Sequence, residues 1–158
     1  MLEIEIVPAL NDNYIYIVHN RTKLLTAVVD PGDPDPVINK LNEKNWKLNQ
    51  IINTHHHNDH TDGNKKLLEI FNPELIAPIY DQNRIKDVNK FVSDNDFIEI
   101  VGVPAKVIFT PGHTLGHVCY YFDREKILFS GDTLFHLGCG RVFEGTMEQM
   151  KNSLKKIK

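Results

Sequence analysis

Residues 52–63, INTHHHNDHTDG, end a short apolar run (Asn49 to Thr54) with four histidines and two aspartates. Packing has little use for so many ionisable side chains in a row, so their use is chemical. In an extended segment side-chain direction repeats every two residues, so His55 and His57 can point the same way. Asp59 and His60 follow once the chain has turned, and can face a second point close by. Imidazole and carboxylate suit zinc, Fe(II) or Mn without any thiolate. Two ligands cannot close a metal site, so further donors must come from elsewhere.

Outward from this stretch, polar clusters recur just after expected strands. FTPGHTLGH (109–117) offers His113, and FSGDT (129–133) offers Asp132. A carboxylate can bridge two cations through its two oxygens. His55, His57 and His113 on one metal, Asp59 and His60 on another, and Asp132 between them suit two divalent ions roughly 3.5–4 Å apart. Zinc is the leading identity, with Fe and Mn open. A hydroxide caught between such ions is a strong nucleophile, because metal binding lowers the pKa of water to about 7. Asp30, in VVDPG, is either a turn residue or an acceptor that orients a metal-bound histidine. His56 lies between two proposed ligands and should face away from them. His19 and His136 are read as surface or satisfied core histidines, and His117 as the start of the next strand.

The bulk numbers narrow the class. A chain of 158 residues, 41% hydrophobic and 25% charged, suits one domain with a real core. A net charge of −3 and a pI near 6.2 argue against a nucleic-acid partner. No apolar run approaches the roughly 20 residues of a membrane span. The start, MLEIEIVPAL, is strand-like and acidic and does not read as a signal peptide. Cys119 and Cys139 have no CxxC spacing, so the expected home is the reducing cytoplasm.

Strands are expected at Glu3 to Val7, Tyr14 to Val18, Leu24 to Asp30 and Asn49 to Thr54, and in ELIAPI, FIEIV, AKVIFT, VCYYF and KILFS. PGDPDP breaks the pattern, with Asp35 capping a helix whose first position is Pro36 and whose apolar side is Val37, Ile38 and Leu41. NKKLLEIF is helical, and Asp81 to Lys86 suggests a short helix. Thr146 and Gln149 match a capping box, with Met147, Met150, Leu154 and Ile157 on one face. Strands outnumber helices, which favours two sheets with covering helices over one parallel sheet. Loops at one edge of such a sandwich gather the polar clusters.

THxHxDH after a strand, then TPGHT, then SGDTLF, resembles the metallo-β-lactamase-fold hydrolases. VPALNDNYIYIV (7–18) and GCGRVFEGT (138–146) are similar to glyoxalase II, the hydroxyacylglutathione hydrolases. The resemblance covers nearly the whole chain. It implies a mixed α/β fold, an αββα sandwich with a dinuclear site at one edge. It implies glutathione thioesters as substrates, chiefly S-lactoylglutathione from methylglyoxal detoxification. The family's metal ligands fall on His55, His57, Asp59, His60, His113 and Asp132, with catalysis on Asp59 and Asp132. Its substrate contacts fall on Arg141, Val142 and Phe143, where some members carry lysine for the arginine and tyrosine for the phenylalanine.

Family members continue further, with another metal-binding histidine and a helical region for the glutathione tail. The resemblance therefore implies one domain over 1–158 that lacks its last strands and C-terminal helices, with a second metal site one histidine short. The expected partner is a small-molecule glutathione thioester and the expected state a monomer. Two rivals stand beside this: a mono-iron persulfide dioxygenase of the same fold, and a non-catalytic metal-binding remnant.

Overall fold

The computed structural model describes residues 1–158. β1 (Leu2–Ala9) and β2 (Asn13–Asn20) form a hairpin, and β3 (Leu25–Val29) pairs antiparallel with β2. From there the chain alternates strand and helix: α1 (Pro34–Lys44), β4 (Leu48–Ile52), α2 (Asn58–Thr61), α3 (Asn64–Phe71) and β5 (Glu74–Pro78). β6 (Lys90–Val92) completes a six-stranded sheet in the order β1-β2-β3-β4-β5-β6, in which β3 to β6 run parallel. β7 (Phe97–Ile100), β8 (Val103–Phe109), β9 (Val118–Phe122) and β10 (Ile127–Phe129) form a second, antiparallel sheet in the order β10-β9-β8-β7. α4 (Met147–Lys156) ends the chain. No helix is long and apolar enough to cross a membrane.

The period of two assigns the cores. Val29, Ile52 and Ile76 face the second sheet and pack with Val107, Tyr120 and Phe122. Their neighbours Val28, Ile51 and Leu75 face the other way, onto Val37 and Leu41 of α1 and Leu67 of α3. The first sheet is thus buried on both faces, which is why β3, β4 and β5 read as continuous apolar runs. The Tyr120 hydroxyl donates to the Asn53 carbonyl (2.8 Å), tying the two sheets beside the histidine run.

Three local expectations are corrected. α1 is capped by Asp33, whose carboxylate accepts from the Asp35 backbone N–H, and Pro34 takes the first helical turn. Asp35 lies inside the helix and pairs with Lys66. Pro36 is tolerated because first-turn N–H groups have no intrahelical acceptor. In place of a helix over 81–86 there is one 3₁₀ turn, Ile79–Asp81. The α4 capping box forms as expected, but Met147 is 68% exposed. The buried face is Met150 and Ser153, because the Ser153 hydroxyl reaches the Pro111 carbonyl (2.7 Å).

Candidate metal centre

Four strands deliver the site from their carboxyl ends, as open α/β sheets commonly do. β3 ends at Asp30, β4 at the 54–60 run, β8 at the 110–117 loop and β10 at Ser130 to Asp132. His57 occupies the N-cap position of α2 in extended conformation (φ −60°, ψ 144°). His55 and His57 therefore leave an extended segment, while Asp59 and His60 sit on the first helical turn and face a second point.

All six proposed donors come together. His55 Nε2 lies 3.1 Å from His57 Nδ1, which lies 2.9 Å from His113 Nε2. The outer nitrogens fix the tautomers. His113 Nδ1 donates to the Arg141 carbonyl (2.6 Å). The Thr54 hydroxyl donates to Asp30 Oδ2 (2.7 Å), so it accepts from His55 Nδ1 (3.0 Å). With their outer nitrogens protonated, both rings turn an Nε2 lone pair inward. Converging lone pairs repel unless a cation lies between them. A tetrahedral ion with metal–nitrogen bonds of about 2.0–2.1 Å spaces its nitrogens roughly 3.3–3.4 Å apart, close to the spacing here. The donors fit such an ion.

The second group is acidic. His60 Nε2 lies 3.2 Å from Asp132 Oδ1 and 3.4 Å from Asp59 Oδ2, and its Nδ1 lies 3.2 Å from Asp30 Oδ2. These are charge contacts without hydrogen-bond alignment, and both buried ring nitrogens lack a hydrogen-bond partner. That orphaned pair amid carboxylates also fits a cation. Asp132 stands between the groups, with Oδ2 3.2 Å from His113 Nε2 and Oδ1 turned to His60. Ligand atoms of His55, His57 and His113, and separately of His55, His60 and Asp132, all lie within 4.8 Å of one another.

Protonation follows surroundings. Burial, then the neighbouring histidines, pushes His55 well below the usual imidazole range, and burial lowers His57. For His60 burial opposes the charge, but Asp30, Asp132 and Asp59 outweigh it and raise the pKa to about 12. Contact with His60 holds Asp59 well below the usual carboxylate range, and at Asp132 it overcomes the effect of burial in the same direction. Asp30 takes a left-handed backbone (φ 50°), a strained conformation for a residue before proline. In it, Oδ1 accepts from the Thr54 N–H (2.8 Å) while Oδ2 meets the Thr54 hydroxyl and His60.

His117 is the residue missed by the sequence reading. It precedes β9, is fully buried, and its Nε2 accepts the Asp132 backbone N–H (3.1 Å). Its Nδ1 lies 2.8 Å from Thr110 Oγ1 and 3.1 Å from Thr133 Oγ1. Burial lowers its pKa to about 3, so the ring stays neutral and able to accept. Gly131 (φ +46°) permits this approach, since a Cβ there would lie 2.6 Å from His117 Nε2. The spacing of two histidines four apart at a strand start, GHTLGH, carried the only hint.

The other histidines stay outside. His56 turns away, 3.3 Å from Asp81 Oδ1 and against the Arg84 guanidinium. His19 is buried, bonded to Thr26 and stacked on Trp46, and His136 is exposed. The Phe143 ring stands edge-on over His57 and His113, at centroid distances of 5.8 and 5.3 Å, and is 63% exposed. Arg141 presents its carbonyl to His113 and leaves its side chain exposed, and Val142 is half-buried.

Comparison with known proteins agrees with this geometry. The family described as Metallo-beta-lactamase superfamily matches residues 8–158. The hydroxyacylglutathione hydrolase of Pelagibacter ubique (strain HTCC1062) is 47% identical over 157 residues, covering 99% of this chain and 66% of that protein. The chain thus spans slightly less than two thirds of that relative's length. Among solved structures, the BLEG-1 B3 metallo-beta-lactamase superposes with a TM-score of 0.86 at 24% identity, over 98% of this chain and 84% of the other. ETHE1 from Myxococcus xanthus superposes at 0.84, also at 24% identity, over 99% and 68%. At such identities these two speak for the fold alone.

Proposed function

Because this chain belongs to the metallo-β-lactamase superfamily, we propose that its protein is a cytoplasmic monomer that hydrolyses glutathione thioesters, S-lactoylglutathione foremost, in methylglyoxal detoxification. The observation that carries this reading is Asp132, with one oxygen turned to each of two donor groups. His55, His57 and His113 would hold one divalent ion, and His60 and Asp59 a second, with zinc the first choice and Fe or Mn open. When bound, such ions supply a water nucleophile deprotonated near neutral pH and Lewis-acid polarisation of the thioester carbonyl.

The chain's own groups do the rest. Thr54, Asp30 and the Arg141 carbonyl lock the histidine rings so that their lone pairs converge. Asp59, whose Oδ2 lies 3.4 Å from His60 Nε2, would help hold the second ion and accept a hydrogen bond that orients the attacking water. The water oxygen bonds to the thioester carbonyl carbon, the C–S bond breaks, glutathione leaves as a thiolate and the acyl group is released as a carboxylate. Phe143 walls the approach over His57 and His113, the half-buried Val142 is a further candidate contact, and the exposed Arg141 guanidinium meets a glutathione carboxylate.

The test is direct. Protein loaded with zinc is assayed for loss of the S-lactoylglutathione thioester, alongside its metal content. Two ions per chain with turnover are expected. One ion per chain without turnover contradicts the reading.

A further inference from the structure

The segment VPALNDNYIYIV (7–18) reaches the acidic half of the site through one residue, Asn13. Asn13 opens β2 at the end of the β1–β2 turn. Its side-chain amide donates to Asp59 Oδ2 (2.9 Å) and reaches the Asp59 main-chain carbonyl (3.4 Å), across 46 positions of sequence. Both of its hydrogen bonds go to that one residue. The opposite amide orientation would set an oxygen against a carboxylate, so the N–H must face Asp59.

Asp59 is gripped from the other side as well. A Cβ at Gly32 would lie 1.8 Å from the Asp59 carbonyl oxygen, so only glycine permits this approach. Backbone and carboxylate are thereby fixed together, although the Asp59 side chain is 46% exposed. An aspartate so exposed would otherwise sample several rotamers, and its oxygens would exchange places.

We propose that Asn13 is a positioning residue for the acidic half of the site. Its N–H donates to Asp59 Oδ2, the oxygen that also lies 3.4 Å from His60 Nε2, and so holds that oxygen toward the position shared with His60 and Asp132 and sets the affinity of the second ion. This rests on the two-metal reading above. Losing a partner that orients a ligand typically costs about 10–100-fold in metal affinity. The loss should fall on the second ion, because Asn13 touches none of His55, His57 or His113.

The experiment is a stepwise zinc titration of the metal-free chain by calorimetry, with unliganded thermal stability measured alongside. Three chains are compared: wild type, Asn13→Leu and Asn13→Ala. Asn13→Leu keeps the volume and removes the donor without adding charge, so it should weaken the second step by about 10–100-fold and leave the first within a factor of two or so. Asn13→Ala should weaken the second step to a similar extent, since it also lacks the donor. Equal loss of both steps, tracking a fall in stability, would mean that Asn13 serves only the fold, and overturns the inference. Two unchanged steps in both variants overturn it while sparing the two-metal reading. A wild-type chain with a single zinc step overturns both.

Discussion

The two donor groups lie side by side yet are built on opposite electrostatic plans. His55, His57 and His113 form a group of imidazoles alone, and burial lowers the pKa of the first two. His60, Asp59 and Asp132 form an ionised group in which a proton on His60 is held among carboxylates. In the metal-free chain the first group presents lone pairs ready for a cation. The second already holds a cation of its own, the imidazolium. A proton and a metal ion compete for the same carboxylates there. The two halves of one site should therefore load by different rules.

The largest effect should come from removing the residue they share. Asp132→Ala should lower both zinc affinities and reduce thioester turnover by more than about 100-fold, since loss of a ligand exceeds loss of a residue that orients one. Near-normal turnover by that variant would break the comparison at its centre.

A smaller effect separates the halves. At neutral pH the second ion must expel the His60 proton, and the first should expel none from His55. Calorimetry in two buffers of different ionisation enthalpy should find about one proton released at the second step only, with its affinity rising roughly tenfold per pH unit near neutrality. Equal release at both steps would contradict the contrast. Stability carries the same signature. A raised folded pKa stabilises fully below the unfolded value near 6.5 and is lost as pH climbs toward about 12. The metal-free chain should therefore lose thermal stability on the alkaline side, with a shallower slope in His60→Gln.

The smallest effect is a control. Thr146→Ala removes the α4 cap and should cost about 1 kcal/mol in denaturant unfolding while leaving both zinc steps in place.

The donors themselves were legible because each announces its chemistry by type and follows a recognisable strand. Asp30 was legible only as an alternative to a turn residue; it accepts from the Thr54 N–H and hydroxyl and lies 3.2 Å from His60. What stayed hidden are residues whose role is set by a remote partner. Asn13 acts across 46 positions, and His117 receives an N–H from 15 positions on. No local period encodes such pairings. β6 was missed because of its three residues only Val92 is buried, which leaves no apolar run to read. The α1 cap shifted because PGDPDP offers two aspartates, each followed by proline, and helix phase alone chooses between them.

The donors also divide by sheet. His55, His57 and His60 hang from the six-stranded sheet, whereas His113 and Asp132 hang from the four-stranded one. An ion held by both is a rivet through the seam of the sandwich. Ligand linkage then makes metal supply a determinant of folding: an ion at one hundred times its dissociation constant adds about 2.7 kcal/mol to the folded state. A chelator would therefore lower the thermal stability of this chain as it emptied the site.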